Sequence, residues 1–530
     1  MFWLIIQALI SFLDDCVCFL IDLINFGRER KIQHQEDAAT HIPEGLENSH
    51  PLIAVEKPAK LEYARRMLIF DFRDTSEVGI DRAVAFIHDG FEYAFQHYPF
   101  LSGRLGPLAN DIKGNQVQLR YGNGKAYPWP WSHPGIFKWR LHVETEPNYA
   151  FLCARGMPVS HWKVGDFCAA PESFELGDWP QALTIQANFM MEGALVICLA
   201  YMKCVADDVC IQRFLERFAF GIGDAAIAPN PDAPGLDNHF EPEDAKNYND
   251  FPGGGPTNNL SVEREIGARG FREAFMYTIP ARRIESCKTR VDASLRRAGV
   301  MRSVSTIEVI YAMIWAEATK ARCCPARAGK PLKSTRCSVD VNARGRLKPA
   351  LEKFYFGNMT ARAVAQCDIE EFIPTRKPAH YPDHDAVVCS TAALRIHHAI
   401  KAIDNTHIQR RISTAQDDEP PPREEHDQTR RFKAGEDVKL TSLETFCADT
   451  HFGIPGIRVP WVAEEGAAYI LPRRAGHEAN WEVLVCLEFP SSRELLRASR
   501  LGQWAFSVTP DGDPTGYHRY SRWFGGQQPG

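Results

Sequence analysis

The chain has no C-x-x-C pair, although it carries fifteen cysteines. An odd number without paired spacing resembles neither a disulfide framework nor a zinc site, and it reads as reduced thiols in a cytoplasmic setting. Basic residues are not in excess either. A net charge of -6, built from 61 basic and 67 acidic residues that lie interspersed, lacks the basic stripe a nucleic-acid binder needs, so no nucleic-acid partner is expected. There is no G-x-S-x-G elbow, no P-loop and no G-x-G-x-x-G following a strand, which removes the sequence basis for hydrolase, kinase and dinucleotide-binding readings.

Long apolar runs are also missing. Phe2 to Leu13 is strongly apolar, but Asp14, Asp15 and Asp22 break the stretch after it, so no uninterrupted run approaches the ~20 residues of a membrane span. No basic residue precedes that apolar segment, as a secretory signal requires. Three readings stay open for residues 1–27: an additional helix or leader, a membrane-surface anchor, or a signal peptide. What is present is an ordinary globular composition of 530 residues, 45% hydrophobic and 24% charged, large enough for two core-bearing domains.

The most informative stretch is Ala194 to Met202, nine residues without a charge, which predicts a strand buried on both faces. It ends in Lys203-Cys-Val-Ala-Asp207-Asp208, and a helix pattern opens at once with Val209, Phe214, Leu215 and Phe218 at helical spacing. A buried strand that delivers polar groups to a strand-to-helix turn is a common mount for chemistry. Gln186-Ala-Asn-Phe189, the apolar strand and Val205-Ala-Asp207 together resemble the core of the BAHD-type acyltransferases, above all the fungal trichothecene 3-O-acetyltransferase branch. In that family the turn reads H-x-x-x-D-G, and its histidine is the base that activates the acceptor for attack on an acyl-CoA thioester. Here Lys203 stands in the histidine's place, Asp207 keeps the aspartate, and Asp208 replaces the glycine.

Further motifs come in the family's order. Tyr63 to Phe72 reads as a strand, and Ile80 to Tyr98 as a helix with Ala83, Phe86, Ile87, Phe91 and Phe95 on one face. The helix stops before Pro99, and Gly103 permits the turn into a strand; Tyr98-Pro-Phe-Leu-Ser-Gly-Arg-Leu105 resembles the family's Y-P-x-L-A-G-R-L. Ser305 is a helix cap for the apolar run to Trp315, and Ser334 to Val341 is a strand. Asn342-Ala-Arg344-Gly-Arg346-Leu and Tyr355-Phe-Gly-Asn358 resemble V-D-x-R-x-R-L and Y-F-G-N. Thr441-Ser and Asp449-Thr-His-Phe-Gly453 resemble T-S-W and D-F-G-W-G, with His451 in an aspartate's place. Ala467 to Pro472 and Trp481 to Glu488 read as paired strands.

The resemblance implies a mixed α/β fold of two similar chloramphenicol-acetyltransferase-like halves around a central channel. The expected boundaries are 1–50 for the apolar segment and linker, 51–220 and 261–505 for the halves, 221–260 for a Pro/Gly/Asn/Asp-rich crossover loop, and 506–530 for a tail. Residues 411–436, around Glu419 and Pro420 to Pro422, read as a solvated loop. The implied activity is acyl-CoA-dependent transfer, with acetyl-CoA the expected donor, to a hydroxyl of a fungal secondary metabolite, by a cytoplasmic monomer. The catalytic candidates are Lys203 and Asp207, supported by Arg344, His451 and Gly453, with Ser305, Thr306 and Arg346 on the acyl-CoA side. Arg344 is expected to hold Asp207 by a forked pair.

Lysine is the difficulty. A free lysine titrates near ~10.4 and is protonated at neutral pH, and Asp207 and Asp208 in the same turn favour its ammonium. It serves as a base only if burial depresses that value; as an ammonium it polarises the thioester or binds an acidic substrate. The alternative is a chamber that keeps the fold, has lost acyl transfer, and binds a pathway intermediate or promotes a reaction other than acyl transfer. Cys204 is a second nucleophile candidate if its pKa is lowered, against a plain packed-turn role. His397 and His398 are adjacent on a helix, about 100° apart, and do not form a metal site; no metal is expected.

Overall fold

The computed structural model describes residues 48–51, 61–107, 117–121, 136–142, 164–171, 173–191, 193–224, 272–323, 333–348, 356–373, 384–409, 436–446, 466–472, 480–488, 491–505 and 507–511. The expectations for residues 1–27, for the crossover loop beyond residue 224, for the loop at 411–435, and for His451 and Gly453 lie outside them. Among the described residues no helix is long and apolar enough to cross a membrane.

The first half is built on a four-stranded sheet of β2 (Tyr63–Asp71), β5 (Phe137–His142), β6 (Leu183–Met190) and β7 (Ala194–Met202), in the order β2-β7-β6-β5. It is mixed, β5 and β6 running parallel and the other pairs antiparallel. As the uninterrupted apolar run implies, all nine residues of β7 are buried. Helix α1 (Glu77–His97) starts on Ser76, whose hydroxyl accepts from the Gly79 amide, three residues before the start read from periodicity. Phe86, expected on its buried face, is 39% exposed, while Ile80, Ile87, Phe91, Ala94 and Phe95 fill the core. Phe91 stacks on Phe218 of α2 (Asp208–Asp224) at 4.0 Å between ring centroids. That helix runs to Asp224, four residues beyond position 220. A small antiparallel sheet of β1 (Asn48–Pro51), β4 (Val117–Tyr121) and β3 (Arg104–Pro107) stands beside it, so structure begins inside the stretch read as linker.

The second half is a seven-stranded mixed sheet. Its strands are β8 (Arg272–Ile279), β9 (Ser334–Asn342), β10 (Thr360–Asp368), β11 (Val438–Ser442), β12 (Ala467–Ile470), β13 (Trp481–Glu488) and β14 (Ser507–Asp511), in the order β10-β9-β11-β12-β13-β8-β14. The sheet therefore runs past residue 505 into the segment read as a tail. Pro510 sits in β14, at the sheet edge, where a missing amide donor is tolerated. Helices α3 (Ala281–Arg297), α4 (Thr306–Arg322), α5 (His384–Ala402) and α6 (Ser491–Ala498) complete this half.

The two halves share a core through side-chain alternation. Side chains of a strand point alternately to opposite faces, and here Phe275, Tyr277, Val483, Val485, Ala468 and Ile470 join α3, α4, α5 and α6. Their neighbours Ala274, Met276, Leu484, Cys486, Ala467 and Tyr469 join β7, α1 and α2 of the first half. One sheet thus closes two cores.

Candidate active site

The candidate site is the turn between β7 and α2, where the first half meets the second. Gln186 and Asn188 bring no chemistry to it. Their amides are spent on main chain flanking β6, Gln186 donating to the Asp166 carbonyl at 2.8 Å and Asn188 to the Phe167 and Val196 carbonyls at 3.0 and 3.1 Å. They satisfy buried main chain that has no water to turn to.

Asp207 is buried, and its carboxylate collects four donors. Arg344 gives two, Nη1 to Oδ2 at 2.7 Å and Nη2 to Oδ1 at 3.0 Å, and the amides of Cys210 and Met359 give the others at 3.1 and 3.0 Å. This is the forked pair expected from the motif. The Cys210 bond caps the first turn of α2. Arg344 extends the network, donating from Nη2 to the Gly357 carbonyl at 2.5 Å and to Cys210 Sγ at 3.0 Å, and from Nη1 to Asn342 Oδ1 at 3.3 Å. Asn342, in the usual aspartate's place, still offers an acceptor oxygen. The Cys210 thiol is pushed up to about 12 by burial and by the Asp207 carboxylate, and it donates to the Gly357 carbonyl.

Two motifs distant in sequence meet here. Phe356 packs between Tyr98 and Phe100, with ring centroids 4.7 and 4.9 Å away. That anchorage sets the next residues: Gly357 against Cys210 and Arg344, and Asn358, whose Nδ2 donates to the Lys203 carbonyl at 2.8 Å. The main chain of Lys203 is therefore held by the second half.

The side chain of Lys203 does not take either aspartate of its own turn as its counter-ion. Its Nζ lies 2.5 Å from Oε1 of Glu62, just before β2. Asp208 is bound instead by Arg66, Nε to Oδ1 and Nη2 to Oδ2 at 3.0 Å each, and by the Tyr201 hydroxyl at 2.6 Å. Burial alone would lower the Arg66 guanidinium's proton affinity, but Asp208 together with Tyr201 and Tyr469 more than offsets this and raises it. Burial holds the Tyr201 hydroxyl well above its usual range, so it serves as a donor. The expected neutralisation of Lys203 by Asp207 and Asp208 is thus corrected: Arg344 and Arg66 hold those carboxylates, and the ammonium pairs with Glu62. Glu62 and Arg66 carry no motif in the sequence and are found only by the fold. Burial pushes the Cys204 thiol up to about 12, which disfavours the thiolate that a nucleophile needs.

The acyl-CoA candidates lie elsewhere in local bonding. The Ser305 hydroxyl accepts from the Glu308 amide at 3.1 Å, the Ser305 amide donates to Glu308 Oε2 at 2.6 Å, and Thr306 is the first residue of α4. Arg346 donates from Nη1 to the carbonyls of Ile400 and Ile403 at 2.5 and 2.8 Å, closing the end of α5. His397 bonds Glu308 through Nδ1 and Arg302 through Nε2, both at 2.8 Å, which accounts for it without a metal.

A model of the transferase family matches residues 173–491, more than half of the chain. The chain belongs to this family, the BAHD-type acyltransferases. At the level of sequence alone no curated relative matches. Among solved structures the BAHD chain is similar to F. sporotrichioides TRI101 complexed with coenzyme A and T-2, at a TM-score of 0.62 and 13% identity over 88% of this chain and 100% of the other. It is likewise similar to F. graminearum TRI101 complexed with coenzyme A and deoxynivalenol (TM-score 0.62, 14% identity, 88% and 100% covered). Vinorine synthase matches at a TM-score of 0.53 and 14% identity, over 85% of this chain and 92% of the other. These likenesses establish the two-half fold.

Proposed function

We propose that the protein is an acyl-CoA-dependent O-acyltransferase whose reaction centre is the Lys203 turn, moving an acyl group, acetyl in the first instance, to a hydroxyl of a small secondary metabolite. The observation that carries this reading is the preserved scaffold beneath Lys203. Asp207, Arg344, Gly357 and Asn358 hold the turn that carries the family's catalytic position, with its side chain 31% exposed. Asp207 organises the turn and takes no part in proton transfer, since its lone pairs are already directed at four donors. The neighbours solved with coenzyme A support acyl-CoA as co-substrate, and those solved with T-2 or deoxynivalenol support a small hydroxylated acceptor. The fungal assignment and the acetyl donor rest on that same likeness. The cysteines of the described residues are all free thiols, which supports a reducing, cytoplasmic setting for a monomeric enzyme.

The test is release of free thiol when the purified protein is incubated with acetyl-CoA and candidate hydroxylated intermediates. Thiol release that depends on the acceptor is expected. Lys203→Ala should lower it by at least tenfold, and Lys203→His should restore or raise it, because a histidine is largely unprotonated near neutral pH and has a lone pair to accept the proton. If no acyl donor gives thiol release while an intermediate still binds, the chain is a binding chamber and the transfer reading fails.

A further inference from the structure

We propose that Glu62 is the proton acceptor of the transfer and that Lys203 works as its ammonium partner, so that the family's single base is divided between two side chains. The inference rests on the acyl-transfer reading above. Tyr63 pairs with Met202 in the β2–β7 ladder, and the ladder continues one step further, the Lys203 amide donating to the Glu62 carbonyl at 3.2 Å. Glu62 and Lys203 therefore stand opposite each other on one face of the sheet, and their side chains close to 2.5 Å. This face also carries Arg66 and Tyr201, and the Arg66 guanidinium lies 6.0 Å from the ring of Phe446 in the second half, so the pair stands at the junction of the halves.

The charges decide which group moves the proton. An ion pair at this separation holds its members as ammonium and carboxylate, and an ammonium has no lone pair with which to take a proton from a hydroxyl. The other carboxylates of the turn are committed, Asp207 to Arg344 and two amides, Asp208 to Arg66 and Tyr201. Glu62 is the open one. Its side chain is 45% exposed, and among the described residues only its Oε1 is engaged, leaving Oε2 for an acceptor hydroxyl. A half-exposed pair of this kind contributes little to stability, so holding the fold does not account for it.

In the step proposed, the acceptor O–H proton passes to Glu62 as the oxygen attacks the thioester carbon. The new C–O bond forms, the C–S bond breaks, and the coenzyme A thiolate takes a proton from the Lys203 ammonium. Glu62 returns its proton to Lys203, and both groups end as they began. While the tetrahedral intermediate exists, the ammonium is placed to stabilise its oxyanion.

The experiment compares the full-length protein with Glu62→Gln and Glu62→Asp, following thiol release from acetyl-CoA with an active acceptor between pH 4.5 and 9.5, alongside coenzyme A binding. Glu62→Gln is expected to reduce kcat by roughly 10²- to 10⁴-fold with the KM for acetyl-CoA within about twofold, and Glu62→Asp to recover part of it. The acidic limb of the wild-type rate profile should be lost in Glu62→Gln, and a limb that survives unchanged places the base elsewhere. A Glu62→Gln enzyme within threefold of wild type overturns the proposal and leaves acyl transfer standing; wild-type protein that binds coenzyme A and releases no thiol removes both. Competitive labelling with acetic anhydride reads the charge without turnover. Lys203 should label as a protonated amine at pH 7 in the wild type and label faster in Glu62→Gln, and labelling at the rate of a neutral amine in the wild type overturns the division of roles.

Discussion

Around the turn after β7, three carboxylates meet three different cations: Glu62 with Lys203, Asp207 with Arg344, and Asp208 with Arg66. The last pair explains how the turn absorbs an aspartate where its family carries glycine. Arg66 is buried in β2 and its guanidinium needs the carboxylate, so Asp208→Gly, which restores the family motif, leaves a buried charge with no counter-ion. A loss of about 3–5 kcal/mol is expected in urea denaturation, mostly recovered when Arg66→Leu accompanies it, since removing both charges is nearly neutral where removing one is not. Only part of this is legible in the sequence. Lys203, Asp207 and Arg344 can be read there because local motifs carry them. Glu62 and Arg66 cannot, because a charge at the start of a strand, or alternating along it, reads as a solvated face until the register with β7, more than 130 residues away, is known.

At the scale of single elements, legibility tracks the strength of the local pattern. β7 and β13 declare themselves by apolar runs, and α4 by the Ser305 cap. β14 does not, since a five-residue strand with a proline at an edge offers no periodicity to read. Capping also separates two roles for Ser305. If its hydroxyl serves α4, Ser305→Ala should cost about 1 kcal/mol in urea denaturation and leave coenzyme A affinity within about twofold by calorimetry. A loss of affinity beyond tenfold without a stability change would return Ser305 to the acyl-CoA path. Arg346→Ala tests the other end in the same way, because its bonds to the Ile400 and Ile403 carbonyls close α5.

The whole molecule is tied together by its seven-stranded sheet, one face of which belongs to the first half's core. Unfolding should therefore be one event for both halves: fluorescence and circular dichroism are expected to give coincident urea transitions, and Tyr469→Ala, on β12, should move both together by about 3–5 kcal/mol. Two separated transitions would show that the shared core does not couple the halves. The same arrangement has a consequence for synthesis. The last described helix of the first half ends at Asp224, yet Phe356, Phe446, Tyr469 and Leu484 belong to its core, and Leu484 emerges roughly 260 residues later. At roughly 5–20 residues per second, a ribosome leaves that core open for something on the order of 15–50 s. For that interval the nascent chain presents the apolar side of a finished half without its cover, a natural client for a chaperone working at the exit tunnel.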